Sequence, residues 1–307
     1  MATVIERNFF RLLRAGLFSS REAIEPLSPW KWRRLYQLSL VHGVSETIWH
    51  GIQVCQDDYF VGLISPELKE KWSKTVVKTK EPDEDTEEAM GLTNPLLDRK
   101  LQAIIDQESS LEETPTRLLL VAIVNNTRAI LNEGINLPLL MEMARMLRQP
   151  AGTIDFEKLQ SWISRLRLQP MADLLGTLNV MLLGFREAEV PFMKKNLEKT
   201  ATQLTEELFN LNDGSTDEWY FTQKDDEIFV RTHNSRAMFW HVGHSARFSR
   251  LYPSEALTNF FKSFANSLTH MNNLHCGGDG LLPVPAGHGR IQCLFTRNPF
   301  GCSCCPA

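Results

Sequence analysis

Before residue 276 the 307-residue chain holds a single cysteine, Cys55. A disulfide framework is therefore excluded over that length, and the pattern suits a reducing compartment. Long apolar runs are also missing. The run Leu118 to Val124 has seven residues, where a membrane-spanning helix needs about 20. Leu174 to Phe185 is interrupted by Thr177, Asn179 and Gly184. Neither stretch is expected to cross a bilayer, and both read as core helix. Charge of one sign is scarce: Lys and Arg total 33 against 37 Asp and Glu, for a net charge of −4 and a pI near 6.1. That balance argues against general binding to nucleic acid or anionic membranes. The opening Met1-Ala2-Thr3-Val4-Ile5-Glu6-Arg7 has no basic segment leading into an apolar run. No signal peptide is expected, and the cytoplasm is the expected location. No P-loop, dinucleotide fingerprint, Gly-x-Ser-x-Gly elbow or His-Glu-x-x-His occurs. The cluster Gly277-Gly278-Asp279-Gly280 follows no predicted strand and opens no predicted helix, so it is not a phosphate cradle.

What the chain does contain is helix punctuation. Hydrophobic residues make up 43%, enough for a sizeable core, and Thr114 to Phe192 carries the densest apolar pattern. Thr114 with Pro115 predicts a helix start, and Gly134 a stop near Asn132. Asn136 with Pro138 predicts a second helix bearing Leu139, Leu140, Met143 and Leu147, ended by Pro150 and Gly152. Asp155 or Thr153 opens a third, with Phe156, Leu159, Trp162, Ile163 and Leu166 at spacings of three and four. A fourth follows Pro170 through Leu174, Leu175, Leu178, Met181 and Leu182. Short links between them favour antiparallel packing in a bundle or stacked pairs.

The same grammar extends outward. Helices are predicted over residues 4–17, from Ser28-Pro29 to Gly43, from Ser45 to Gly51, from Ser65-Pro66 through Val76, near Leu96 to Gln107, and over Glu189 to Phe209. Trp30, Trp32 and Tyr36 with interleaved Lys31, Arg33 and Arg34 have the ingredients of a single-strand nucleic-acid platform. Their helical spacing favours a packed core with a solvated basic face instead. Residues 81–94 read as an acidic linker. Its Asp83, Glu84, Asp85, Glu87 and Glu88 lack the glycine and spacing of a calcium loop. Trp219 to Val230 is the one plausible β-hairpin. A basic helix from about Ser235 and a last helix from Pro253 follow.

The expected fold is therefore mostly α, a multi-helix array or bundle. It divides into an N-terminal helical region (1–80), the linker (81–94), a helical core (95–270) and a poorly ordered Cys-rich tail (271–307). His241 and His244 share one helical face, and Cys302, Cys304 and Cys305 crowd the tail. Either set could join a metal site. A helical pair needs a third ligand, however, and Cys-x-Cys-Cys matches no common zinc frame. Packing or surface histidines and a loose tail are the favoured reading.

Two stretches carry a family likeness. One is Phe9-Phe10-Arg11-Leu12-Leu13-Arg14-Ala15-Gly16 with Ser28-Pro29-Trp30-Lys31-Trp32 and His42-Gly43-Val44. The other is Ile130 to Leu137, Ile154-Asp155-Phe156-Glu157-Lys158-Leu159 and Val190-Pro191-Phe192. Together they resemble a bacterial family of uncharacterised nucleotidyltransferase-like proteins, in which such helices flank a nucleotide-binding core. The resemblance implies a Gly-Gly or Gly-Ser turn between the two stretches, then two carboxylates on a strand holding Mg²⁺ on the nucleotide phosphates. That interval lacks both. A displaced set exists downstream: Gly214 and Ser215 as the turn, Asp225 and Glu227 as the carboxylates. The position between the carboxylates, Asp226, should be apolar, so a solvated turn is favoured. The leading expectation is a soluble, non-catalytic relative of the family that binds a protein partner, with no cofactor, no nucleic acid and no membrane insertion. The alternative is a nucleotidyltransferase using Asp225, Glu227, Mg²⁺ and a nucleotide.

Overall fold

The computed structural model describes residues 2–78, 92, 94–108, 114–132, 134–150, 152–209, 251–253 and 258. Among them are eleven α-helices, one 3₁₀ turn and no strand, which is the mostly-α array expected. Most helix starts sit where a side chain can satisfy the free N-terminal amides. In α1 (Val4–Phe18), Thr3 and Glu6 form a reciprocal capping box. In α2 (Pro29–Val41), the Lys31 N–H donates to Ser28 Oγ. In α5 (Pro66–Lys78), Leu68 N–H donates to Ser65 Oγ. In α6 (Pro95–Glu108), Leu96 N–H donates to Asn94 Oδ1 at 3.0 Å.

The central block follows the same rule. Arg117 N–H donates to Thr114 Oγ1 at the start of α7 (Pro115–Asn132). Leu139 N–H donates to Asn136 Oδ1 in α8 (Leu137–Leu147). Lys158 N–H donates to Asp155 Oδ1 in α9 (Phe156–Arg165), so Asp155 rather than Thr153 is the cap. The last helix of the block, α10 (Gln169–Leu183), ends on Gly184 at φ 71°. Gly43 and Gly134 also adopt positive φ at the predicted stops. Pro253 is helical at the expected start of the last helix.

Three expectations need correction. Ser45 does not cap α3 (Ser45–Val54). It lies inside the first turn with its Oγ buried and unpartnered, while its carbonyl accepts from Trp72 Nε1 at 3.1 Å. The helix also runs past Gly51, because Gly51 is a crossing point and not a stop. A short helix, α4 (Tyr59–Gly62), was not anticipated; Asp58 opens it by accepting from Phe60 N–H at 2.8 Å. Lastly, Glu189 to Phe209 is not one helix. A 3₁₀ turn (Glu187–Glu189) leads into a non-helical strap, and α11 begins only at Glu198 (Glu198–Phe209). Lys194 N–H donates to Asp173 Oδ1, Leu197 N–H to Thr177 Oγ1, and Gln169 Nε2 to the Phe192 carbonyl. These bonds from α10 replace the intrahelical ladder, and Pro191 could not have joined it.

Packing builds outward from α10, which lies against α7, α8, α9 and α11 and buries side chains all round its axis. Helix α7 pairs with α8 and α9. The N-terminal helices join this block through α1, which packs on α2, α3 and α10. The α1/α3 crossing brings backbone against backbone. A Cβ on Gly16 would stand 1.8 Å from the Thr47 carbonyl oxygen, and one on Gly51 would stand 2.0 Å from that of Leu12. Nearby, Trp72 of α5 sits between Tyr36 (ring centroids 5.0 Å) and Trp49 (6.2 Å). Phe209, at the end of α11, inserts edge-on among Phe9, Phe10 and His42.

The segment between α1 and α2 is strapped down by α1. Buried Asn8 donates to the Glu25 carbonyl at 2.8 Å and accepts from the Glu25 N–H at 2.9 Å. Arg7 and Arg11 both reach the Glu25 carboxylate, and Arg14 holds Glu22 through two bonds. Every arginine of α1 is thereby paired.

Candidate functional site

The site residues expected from sequence lie outside the described residues. These are Asp225 and Glu227, the Gly214-Ser215 turn, His241 and His244, and Cys302, Cys304 and Cys305. The same holds for the hairpin over 219–230, the tail over 271–307 and the carboxylates Asp83 to Glu88. At the far end of the expected linker, Leu92 is buried and its N–H donates to Asp98 Oδ1 at 2.8 Å. Among the described residues no group of three or more His, Cys, Asp or Glu side chains is placed to hold a metal ion. No described helix is long and apolar enough to cross a membrane.

One cleft, about 620 Å³, opens where α1, α8 and α10 all end. Three helix C-termini present partial negative charge there, and two guanidinium groups answer it. Arg14 Nη1 donates to the Leu182 carbonyl at 3.1 Å while the same side chain holds Glu22. Arg148 stacks over Phe18 and Phe185, 4.9 and 4.4 Å from their centroids, and pairs with Glu189 at 2.8 Å. The Arg186 N–H, followed by the nearby guanidinium groups, holds the Glu189 carboxyl below its ordinary range. Each charged group of this cleft is thus engaged by a neighbour. The arrangement ties helix ends together. A second cleft of about 540 Å³ lies at the start of α10, lined by Arg167, Gln169, Lys194 and Tyr252. Tyr252 donates to the Leu166 carbonyl at 2.9 Å, and Gln169 serves the strap.

Two titratable groups of the first half are perturbed for visible reasons. Glu25 is pulled down to about 2, chiefly by its hydrogen bond from Arg7. His42 is pushed down to about 4 by burial against Phe9 and Phe209, with the Leu208 carbonyl opposing. Cys55 is a buried free thiol whose Sγ lies 3.6 Å from the Glu22 carbonyl.

The surface of the N-terminal helices is more informative than either cleft. The large apolar side chains that stay exposed are Trp30, Val41, Tyr59, Leu63, Val77 and Leu96. All belong to α2, α4, α5 and α6 or the residue closing α4, and none of the large apolar side chains exposed among described residues belongs to α7 through α11. Trp32 and Tyr36 are buried in the core while Trp30 is 64% exposed. The aromatic platform considered from sequence is therefore a packed core with one ring outside it. The sequence reading missed this asymmetry. Its signal was present: Trp30, Arg34, Gln37 and Val41 recur at spacings of three and four on the stripe opposite Trp32, Leu35 and Leu38.

Compared with known proteins, the chain matches no family model, and no curated protein or solved structure shows significant similarity to it.

Proposed function

We propose that this chain is a non-catalytic helical protein that acts by binding a protein partner through its N-terminal helices. The carrying observation is that, among the described residues, the exposed large apolar side chains lie on α2, α5, α6 and α4 with its closing residue Leu63. Trp30 and Val41 share one stripe of α2, and Tyr59 and Leu63 stand four residues apart at α4; exposed apolar side chains that recur together mark contact surfaces. The likeness of residues 9–44 and 130–192 to the helical frame of nucleotidyltransferase-like proteins belongs to this reading, with the frame kept for binding. The buried free thiol of Cys55 supports a reducing, cytoplasmic setting.

The test is capture of a partner by the full chain, followed by calorimetric titration of that partner, purified, against wild type and a Trp30→Ser/Tyr59→Ser/Val77→Ser variant. Binding is expected to wild type and not to the variant. Equal binding to both would refute the surface assignment. A parallel titration with ATP, CTP, GTP and UTP in Mg²⁺ separates this reading from the enzymatic one. Nucleotide binding that disappears in Asp225→Ala/Glu227→Ala would replace the binding-protein reading with a nucleotidyltransferase.

A further inference from the structure

Resting on that reading and deepening it, we propose that the start of α2 is the contact point and that its ligand is an acidic peptide segment of the partner bearing apolar side chains. The first half of α2 carries Lys31, Arg33 and Arg34, and Pro29–Val41 contains no acidic residue. None of the three cations has an ion pair among the described residues, in contrast to Arg7, Arg11 and Arg14 of α1. Their position compounds the imbalance. A helix N-terminus is already positive, favours anions and is weakened by cations. Lys31 lies in the first turn, where the dipole acts, and Arg33 and Arg34 flank Trp30 in the next, so the carboxylates of an approaching segment meet charges of one sign along the start of the helix. Trp30, beside them and 64% exposed, supplies an apolar and aromatic contact of the kind that dominates interface energetics together with arginine.

The ligand class follows from what surrounds this patch. A single-stranded nucleic acid needs successive exposed rings on which bases stack, and Trp32 and Tyr36 are buried. The chain as a whole carries net charge −4, which opposes a long polyanion or an anionic bilayer through its summed field. A short acidic peptide places a few carboxylates over Lys31, Arg33 and Arg34 and an apolar side chain on Trp30 without meeting that field over a large area.

The experiment uses the full chain and a fluorescein-labelled peptide of alternating Glu and Leu, read by fluorescence anisotropy at low and physiological salt. Saturable binding is expected, weakening as salt rises, because exposed charges are screened. Reversing two cations turns attraction into repulsion, so Arg33→Glu/Arg34→Glu should weaken binding about tenfold or more. Arg33→Gln/Arg34→Gln should fall between it and wild type, and Trp30→Ala should also weaken binding. A peptide with Lys in place of Glu should not bind. Arg33 is exposed and Arg34 half-buried, and circular dichroism verifies that each variant is folded. Absence of peptide binding, or affinity indifferent to charge reversal, would overturn the proposal. So would Arg33/Arg34-dependent binding of a single-stranded oligonucleotide or a phosphatidylserine vesicle without binding of the peptide. If the peptide fails while partner capture still depends on Tyr59 and Val77, the binding-protein reading survives and only this contact point is lost.

Discussion

Gly16→Ala should open the α1/α3 crossing, and its effect can be worked from the geometry. The added methyl would sit 1.8 Å from the Thr47 carbonyl oxygen and 2.9 Å from the Gly51 nitrogen. Carbon and carbonyl oxygen approach to about 3.3 Å in favourable contacts, so the two helices must part by about 1.5 Å. Both obstructing atoms are backbone, and no rotamer change relieves them. A gap of even about 0.5–1 Å forfeits a quarter to a half of the dispersion well, and the residues that would feel it include Leu12, Leu13, Ile48 and Ile52, all buried in the core. Overpacking typically costs about 1–3 kcal/mol, and a backbone clash belongs at the upper end. Alanine recovers about 1 kcal/mol over glycine in a helix. The expected net loss is about 2 kcal/mol or more, read as a lower urea midpoint by circular dichroism. Gly51→Ala should behave alike, and the double variant should lose less than the sum, since helices already separated have less contact to lose. Gly62→Ala is the internal standard. Nothing lies within 4 Å of a Cβ there, so it should be neutral or slightly stabilising. If Gly16→Ala proves as stable as Gly62→Ala, the close-crossing argument is wrong.

Two further outcomes follow from named contacts. His42 is held neutral in the folded chain, with its pKa down to about 4 from the ordinary 6.5. A lowered folded-state pKa means the unfolded chain takes up the proton first. The contribution of His42 is therefore fully present above pH 6.5 and is lost as pH falls towards 4, by up to about 3 kcal/mol at ~1.4 kcal/mol per unit. His42→Phe should flatten that part of a denaturation-midpoint profile against pH, and an unchanged profile would count against it. Glu25 titrates lower, between its ordinary 4.5 and about 2, so the two windows overlap only at the low end of the His42 range. In the strap, Thr177 donates to the Asp173 carbonyl and accepts from Leu197 N–H. Thr177→Val keeps the shape but orphans that amide, at a cost of about 1–3 kcal/mol. Hydrogen exchange at Leu197 and Lys194 should accelerate, and retained protection would show that the strap is held by packing instead.

The helix grammar of the central block was legible because its causes are local. Thr114, Asn136 and Asp155 reach amides three residues away, and Gly134 and Gly152 adopt positive φ that other residues resist. Ser45 failed the same test. It has the composition of a cap, but Val44 precedes the first turn and the Ser45 hydroxyl is buried without a partner. The break at Glu189 to Phe209 was hidden for a different reason. The amides of that strap are satisfied by Asp173 and Thr177, residues of another helix. The candidate carboxylates Asp225 and Glu227 lie outside the described residues, while the α2 face was visible as a periodicity but not recognised as exposed.

By itself, the sequence determined the class of fold, the starts of most helices and the depth of the core, because caps, prolines and apolar spacing act within one or two turns of chain. Only the tertiary structure decided that Gly16 and Gly51 are crossing points, that Arg7, Arg11 and Arg14 are paired while Lys31, Arg33 and Arg34 have no ion pair among the described residues, and that Trp30 faces outward beside buried Trp32. Those outcomes depend on which elements meet across long loops, and a charge or a ring acquires its partner only when another part of the chain arrives beside it.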